Sequence, residues 1–436
     1  MSRRHFPLAK PLIGLWLLSL LSGCTWVQPP PEPPPQPSAD LFDDELERHR
    51  FTLEKDADVI GANAMLVTRD GDNLPDIARH FGLGLQAIND ANPAVDTWVP
   101  APGSRVLLPT QWIVPDAPRQ GIVVNLAAMR LFYFPKDKSN RQVRTYPVGI
   151  GREGWSTPTG EMSIDNKVAG PTWYVPDSVR KEHAEKGDPL PAAVPPGPEN
   201  PLGAYALYLS RPKYLIHGTH KPYGVGLRVS HGCLRLYPEN IERLFKEVPV
   251  KTPVHIVNQP YLLGQLGDQW YLEAHTPLEG TDAKNARKAL KARLKQLAAK
   301  QRLTVDWKRV DAILEAADGV AEPIAQDATD PPTVEHPERF HGAPAPVAFE
   351  PGRWYVQVLD TPNEVLAQKL AAMVNHQGPP IPALVRTKGQ ERYQVLAGPF
   401  PAAEQAKRAR DRIQMEFELA SLHLVSPKET AEPARP

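Results

Sequence analysis

The segment Ile216–Leu236, IHGTHKPYGVGLRVSHGCLRL, gathers His217, His220, His231 and Cys233 into one short, glycine-punctuated stretch. A thiol is a weak nucleophile until it loses its proton, with an ordinary pKa of about 8.5. A histidine in contact can take that proton and return it to a leaving amine. Arg228 and Arg235 add positive potential that favours the thiolate. Amide N–H groups around Gly232-Cys233 are candidates to hold a developing oxyanion. Gly218, Gly224, Gly226 and Gly232 allow close backbone approach at both ends of the stretch. Together these residue types suit acyl transfer through a thioester. Zinc ligation by His217, His220, His231 and Cys233 is a competing chemistry, because His and Cys are zinc's usual ligands. The HxxH and HxC spacings fit it loosely, and no CxxC accompanies them. A buried, inert cysteine is the plainest alternative.

Positioning such a pair requires adjacent strands. YLIHG reads as a strand ending at His217-Gly218, and VSHGCLRL resumes after a loop with Cys233 at the start of a second strand or turn. From about Gln120 the chain is a series of short strands punctuated by Gly and Pro: IVVNL, RLFYF, RTYPVGIG, EMSID, ALYLS, YLIHG and VHIVN. A helix follows the second active strand, over about Pro238–Glu247. The pattern predicts a mainly-β, largely antiparallel sandwich or barrel-like domain over residues 118–258.

The full chain of 436 residues has room for several domains. Its 50 acidic and 50 basic residues balance, which argues against nucleic acid as a partner. Residues 1–23 read as a signal peptide, with a basic start, the apolar run PLIGLWLLSL, and Leu21-Ser22-Gly23 before Cys24. This resembles the bacterial lipobox, which implies lipidation of Cys24 and, with Thr25 next, an outer-membrane anchor facing the periplasm of a Gram-negative bacterium. If Cys24 is lipidated, Cys233 has no partner for a disulfide, since the chain has only two cysteines. PPPEPPPQP is extended and semi-rigid, so residues 24–63 read as a Pro-rich tether.

Residues 64–110 read as a strand, two helices and a strand, with Leu74, Ile77, Ala78 and Phe81 at helical spacing. The GDNL start, the ANP after the second helix and the PG before the last strand resemble a LysM module, which implies binding to N-acetylglucosamine-containing glycan strands. Residues 259–321 read as a helical appendage, with ARKALKARLKQLAAK as a basic amphipathic helix, and 322–350 as a flexible linker. Residues 351–428 read as βαββαβ, a ferredoxin-like order. With YVQV and YQVLAGPF this resembles a SPOR domain, which implies binding to glycan strands stripped of their stem peptides. The expected fold class is thus multidomain α+β.

HGT followed by SHGCLRL, with STPTGEMSI upstream at Ser156–Ile164, resembles an L,D-transpeptidase with the YkuD-type catalytic domain. NPLGAYALYLS at Asn200–Ser210 is similar to the ErfK-type branch. Carried over by position, the resemblance implies Cys233 as nucleophile and His217 as general base, oriented by the Gly218 carbonyl. Gly232 then belongs to the catalytic turn, while Ser230, His231 and Arg235 line the donor site. The implied reaction releases D-Ala from a tetrapeptide stem of peptidoglycan and passes the tripeptide acyl group to an amine, with no metal or other cofactor. The amine is that of a diaminopimelate side chain or a lysine of a small outer-membrane lipoprotein. Water as acceptor would make the chain a carboxypeptidase or amidase. An inert thiol would leave only a tether between membrane and wall.

Overall fold

The computed structural model describes residues 48–136, 141–185, 187–325, 329–389, 391–419 and 421–431. The signal peptide, Cys24 and the proline run lie outside the described residues. Among those residues, no helix is long and apolar enough to cross a membrane.

The stretch expected to be tether is folded by its end. Arg50–Thr52 pairs antiparallel with Gln142–Arg144, and Val59–Gly61 with Gln111–Ile113. Leu53, Ala57 and Ile60 are buried. The reason lies in composition: beyond the prolines, apolar residues return at spacings that can be buried.

Ala64–Val67 and Arg105–Leu108 form a two-stranded antiparallel ladder around helices α1 (Leu74–His80) and α2 (Leu85–Ala91). The Asn73 side chain caps α1 by accepting the Asp76 N–H at 2.9 Å, and Pro75 sits in the first turn, where its missing N–H costs nothing. This is the expected βααβ order. Its core, however, is shared. Leu74, Ile77, Phe81 and Ile88 pack in one cluster with Val123, Phe132, Phe134 and Val143 of the neighbouring sheet.

That sheet has nine strands, in the order 50–52, 142–147, 130–134, 121–125, 253–257, 160–169, 205–209, 215–217, 234–235. Its long strand Gly160–Ala169 changes partners midway. Gly160–Ser163 pairs with Pro253–Ile256, and after an irregularity at Ile164/Asn166 the strand continues along Tyr205–Leu209. Pairing is largely antiparallel, as expected, with two parallel exceptions. Pro253–Val257 runs parallel to Gly121–Asn125, and Leu234–Arg235 runs parallel to Leu215–His217. Short strands of similar apolar pattern do not encode direction, which depends on the crossovers between them. An excursion between strands carries α3 (Asp177–Glu185), unforeseen in the sequence reading. Helix α4 (Pro238–Glu247) forms where expected and buries Ile241 and Leu244 against the sheet core.

The appendage is not purely helical. Tyr261–Leu266 and Gln269–Ala274 form a hairpin, with Glu322–Pro323 added at its edge. Helices α5 (Ala283–Gln301) and α6 (Trp307–Ala316) cover it through Leu290, Leu294, Val310, Ile313 and Leu314. The expected linker is also a structural strap where it is described. Met65 exchanges backbone hydrogen bonds with Pro332 and Val334. His336 Nε2 lies 2.7 Å from Asp72 Oδ2, and Phe340 enters the βααβ core. A few apolar and hydrogen-bonding anchors outweigh a composition that otherwise reads as linker.

In the C-terminal domain, Trp354–Thr361, α7 (Glu364–Asn375), Ala383–Lys388, Arg392–Phe400, α8 (Ala403–Phe417) and His423–Val425 follow in βαββαβ order. The sheet order is 383–388, 392–400, 354–361, 423–425, with every pair antiparallel. Helix α9 (Pro427–Ala431) closes the described chain. This domain has an apolar core of its own.

Candidate active site

The turn before Leu234–Arg235 is shaped by two residues. Gly232 has φ +101°, a region L side chains rarely adopt, and a Cβ there would sit 2.9 Å from the Tyr214 ring. Ser230, 1% exposed, donates its hydroxyl to the Cys233 carbonyl at 2.6 Å and accepts the Gly232 N–H at 3.1 Å. Its hydroxyl is therefore engaged in holding the turn. The Gly232 N–H is engaged as well, whereas the Cys233 N–H makes no hydrogen bond among the described residues. Of the two amides expected to face an oxyanion, only that of Cys233 is free in this conformation.

Cys233 is half-buried, and its thiol faces the Lys213 carbonyl at 3.7 Å. Burial pushes its pKa up, while the Leu215 backbone amide and Arg235 pull it down. The net shift is upward, so the resting sulfur is a thiol in need of a base.

His217 is the candidate. The parallel ladder sets Ile216 opposite Leu234 and His217 opposite Arg235. Carried one residue back, the register places Cys233 across from Leu215, so Cys233, Arg235 and His217 belong to one face of the sheet. The imidazole is 3% exposed, and its Nδ1 lies 2.6 Å from the Gly218 carbonyl oxygen. A carbonyl only accepts, so Nδ1 carries the proton and the neutral ring keeps its lone pair on Nε2. Burial, then the Arg235 charge, lowers the pKa to about 3 against the pull of the Gly218 and Leu202 carbonyls. The ring is neutral at pH 7, the state a general base needs.

Arg235 is the charge common to the site. It acts on Cys233, His217, His220 and His231, and its buried Nε has no hydrogen-bond partner among the described residues. His231 lies to one side. Its Nε2 is 3.1 Å from both Glu182 Oε2 and Arg152 Nη2, and Trp155 meets its ring edge-on at 4.8 Å. Arg152 and Glu182 pair at 2.5 Å, so α3 is pinned to the turn that carries Cys233. His220 lies to the other side, pushed down to about 3 by burial, Lys221, Arg235 and Arg412. Among the described residues, no group of three or more His, Cys, Asp or Glu is arranged to hold a metal ion.

The sequence reading missed Glu182, Arg152 and Trp155. The only signal for Glu182 was helix propensity in VRKEHAE, within a Pro- and Gly-rich excursion, while Arg152 and Trp155 stand in GREGW just ahead of the STPTG segment. The STPTG segment it did single out lies behind the turn. Thr157 Oγ1 there accepts the Gly151 N–H at 3.0 Å, and Ser156 to Thr159 line a cavity of about 260 Å³.

Comparison with known proteins gives the site a family. Residues 119–256 match the L,D-transpeptidase catalytic domain, YkuD, and residues 350–419 match the SPOR domain. Probable L,D-transpeptidase ErfK/SrfK of Escherichia coli is 45% identical over 208 residues, which cover 47% of this chain and 66% of that protein. Probable L,D-transpeptidase YbiS of Escherichia coli is 42% identical over 229 residues, 52% of this chain and 74% of that protein. Putative L,D-transpeptidase YkuD of Bacillus subtilis is 31% identical over 190 residues, 43% of this chain and 95% of that protein. The chain therefore belongs to the L,D-transpeptidase family, with a YkuD catalytic domain followed by a SPOR domain.

Proposed function

We propose that the protein is a peptidoglycan L,D-transpeptidase that works through a thioester on Cys233. The observation that carries this reading is the neutral, buried His217, its Nδ1 committed to the Gly218 carbonyl and its side chain on the sheet face to which the register assigns Cys233. His217 takes the thiol proton as sulfur attacks the carbonyl of the third stem residue. The Cys233 N–H stabilises the oxyanion. The amide C–N bond breaks, and the imidazolium returns its proton to the departing D-Ala amine. An acceptor amine then attacks the thioester, losing a proton to His217, and the thiol is regenerated. Arg235, with an unpartnered buried Nε, is the group for a donor carboxylate.

The acceptor is an amine of diaminopimelate or of a lipoprotein lysine. We assign glycan binding to the βααβ module as well as to the SPOR domain, and lipidation to Cys24. The protein is then an outer-membrane-anchored periplasmic enzyme whose binding modules raise local substrate concentration.

Intact mass of the chain from Thr25, incubated with disaccharide-tetrapeptide with and without a lysine-ended peptide, tests the reading. The expected result is an acyl adduct on Cys233 that resolves into a D-Ala-free conjugate. A muropeptide dimer identifies cross-linking as the reaction, and bare tripeptide identifies hydrolysis. Absence of adduct with Cys233 reduced would refute the thioester mechanism.

A further inference from the structure

The C-terminal domain is seated on the loop that follows His217. Its helix α7 ends at His376, whose ring meets that of Tyr223 edge-on with centroids 4.1 Å apart. His376 Nε2 lies 3.1 Å from Asp76 Oδ1, the same oxygen that accepts the Tyr223 hydroxyl at 3.2 Å. Next, Gly378 lies against the backbone of His220 and Lys221. A Cβ on Gly378 would fall 1.8 Å from the His220 carbonyl oxygen and 2.7 Å from Lys221 Cα. Arg412 of α8 donates to the Pro379 carbonyl at 2.6 Å, tying this turn to the helix, and Glu416 one turn on pairs with Lys221 at 2.5 Å. Loop 218–224 is thus gripped from outside at His220, Lys221 and Tyr223.

That loop begins with the carbonyl that sets the tautomer of His217. It begins with Gly218, and although Pro222 opens a single 3-10 turn over Pro222–Gly224, the stretch 218–221 next to His217 lies outside any helix or strand. Nor does the C-terminal domain need the contact in order to fold, because its apolar core closes without the body. The nearest atoms to the missing Gly378 Cβ all come from the catalytic loop. The contact therefore has a consequence at the loop rather than within the domain that makes it.

We propose that the SPOR domain is a positioning element of the catalytic site. By clamping loop 218–224 it holds the Gly218 carbonyl, and through it His217, in the geometry that general-base catalysis requires. His376, Gly378 and Glu416 are positioning residues, and the domain that reads the glycan thereby also conditions the chemistry. This inference rests on the reading of His217 and Cys233 as base and nucleophile.

The test uses the full chain and two kinds of variant. Gly378→Ala places a methyl where only the catalytic loop stands, on a backbone that alanine can adopt. Lys221→Glu and Glu416→Lys, singly and together, break and rebuild the ion pair. Two readouts apply: kcat and KM for D-Ala release from a disaccharide-tetrapeptide, and the pH profile of Cys233 alkylation by iodoacetamide. Gly378→Ala should lower kcat about tenfold with KM nearly unchanged, since small misplacements of catalytic groups are costly. Its alkylation profile should move toward that of His217→Ala, and the double charge reversal should regain most of what each single change loses. Wild-type kcat and profile in Gly378→Ala, or no recovery in the double variant, overturns the proposal. So does a rise in kcat, which would make the domain a restraint. Failure of the functional reading is separate: the unaltered chain would release no D-Ala, while alkylation would still report whether the domain conditions Cys233.

Discussion

The two modules beside the catalytic sheet are attached in opposite ways. The βααβ module shares its core with the sheet and with Phe340 of the strap. It is also stitched in by polar groups. Arg79 of α1 makes a two-pronged pair with Glu239 of α4 at 3.0 and 2.8 Å, the buried Arg130 donates to the Gly82 carbonyl at 2.8 Å, and the Tyr237 hydroxyl donates to the Leu83 carbonyl at 3.1 Å. The C-terminal domain instead completes its own core and, among the described residues, meets the body through the ring of His376 against those of Tyr223 and Trp98, one close turn and a few polar bonds. Size explains the contrast. A two-stranded ladder with two short helices buries little apolar surface of its own, whereas four strands and two helices bury more. The first module is therefore part of the catalytic fold, and the second is a docked domain able to act on it.

The sharpest way to break this comparison is a matched pair of core truncations. Phe81→Ala should cost about 3–5 kcal/mol and lower the unfolding transition of the whole body, catalytic sheet included. Ile413→Ala, in the C-terminal core, should cost about 2–5 kcal/mol and move only the transition of that domain. Calorimetry with near-ultraviolet circular dichroism reads both. If Phe81→Ala melts residues 64–110 separately while the sheet keeps its transition, the shared core is not cooperative and the contrast fails.

Much of this was legible in the sequence where chemistry is local. HGT and SHGCLRL carry their own geometry: a strand end, a left-handed glycine, and a thiol at the foot of the next strand. The period of Pro238–Glu247 and the order of elements in 351–428 were equally readable. Long-range relations were not. Nothing in Phe340 says that it closes a core begined by Phe81 far back in the chain, and nothing in the short strands says which run parallel. Ser230 shows the limit at a single residue. The resemblance implied a place in the donor site, and nothing in the local sequence said that the buried hydroxyl would bond the Cys233 carbonyl within the turn.

A second prediction concerns acid. His49, His217 and His220, all in the body, have pKa values lowered to about 3 from 6.5, with burial the largest cause in each. A depressed histidine favours the folded state above pH 6.5, and that contribution is lost as pH falls toward 3, because the unfolded chain binds the extra protons. Each group contributes a slope of up to about 1.4 kcal/mol per pH unit in that window. Glu239, held at about 2 through its pair with Arg79 despite burial, adds a further loss as pH falls below 4.5. The urea midpoint of the body should therefore drop continuously from pH 6.5 downward. A flat midpoint to pH 4.5 would mean that these histidines are hydrated rather than buried neutral.

The smallest effect tests what kind of contact holds the docked domain. Lys369 of α7 pairs with Asp96 of the βααβ loop at 2.8 Å, and both side chains are 40% exposed. An exposed pair of this kind gains little over its hydrated partners and is screened by salt, so it is worth about 0–1 kcal/mol. Close by, His376 is buried between Asp76 and the Tyr223 ring, where a lost partner leaves a buried polar group uncompensated. Lys369→Ala should therefore leave kcat, the alkylation profile of Cys233 and both unfolding transitions within error. Asp76→Ala, which removes the carboxylate but not the surface pair, should release the domain. Limited proteolysis before Trp354 distinguishes the two. If Lys369→Ala opens that site as widely as Asp76→Ala does, surface charge rather than the buried junction carries the docking, and the domain's hold on the catalytic loop would weaken with salt.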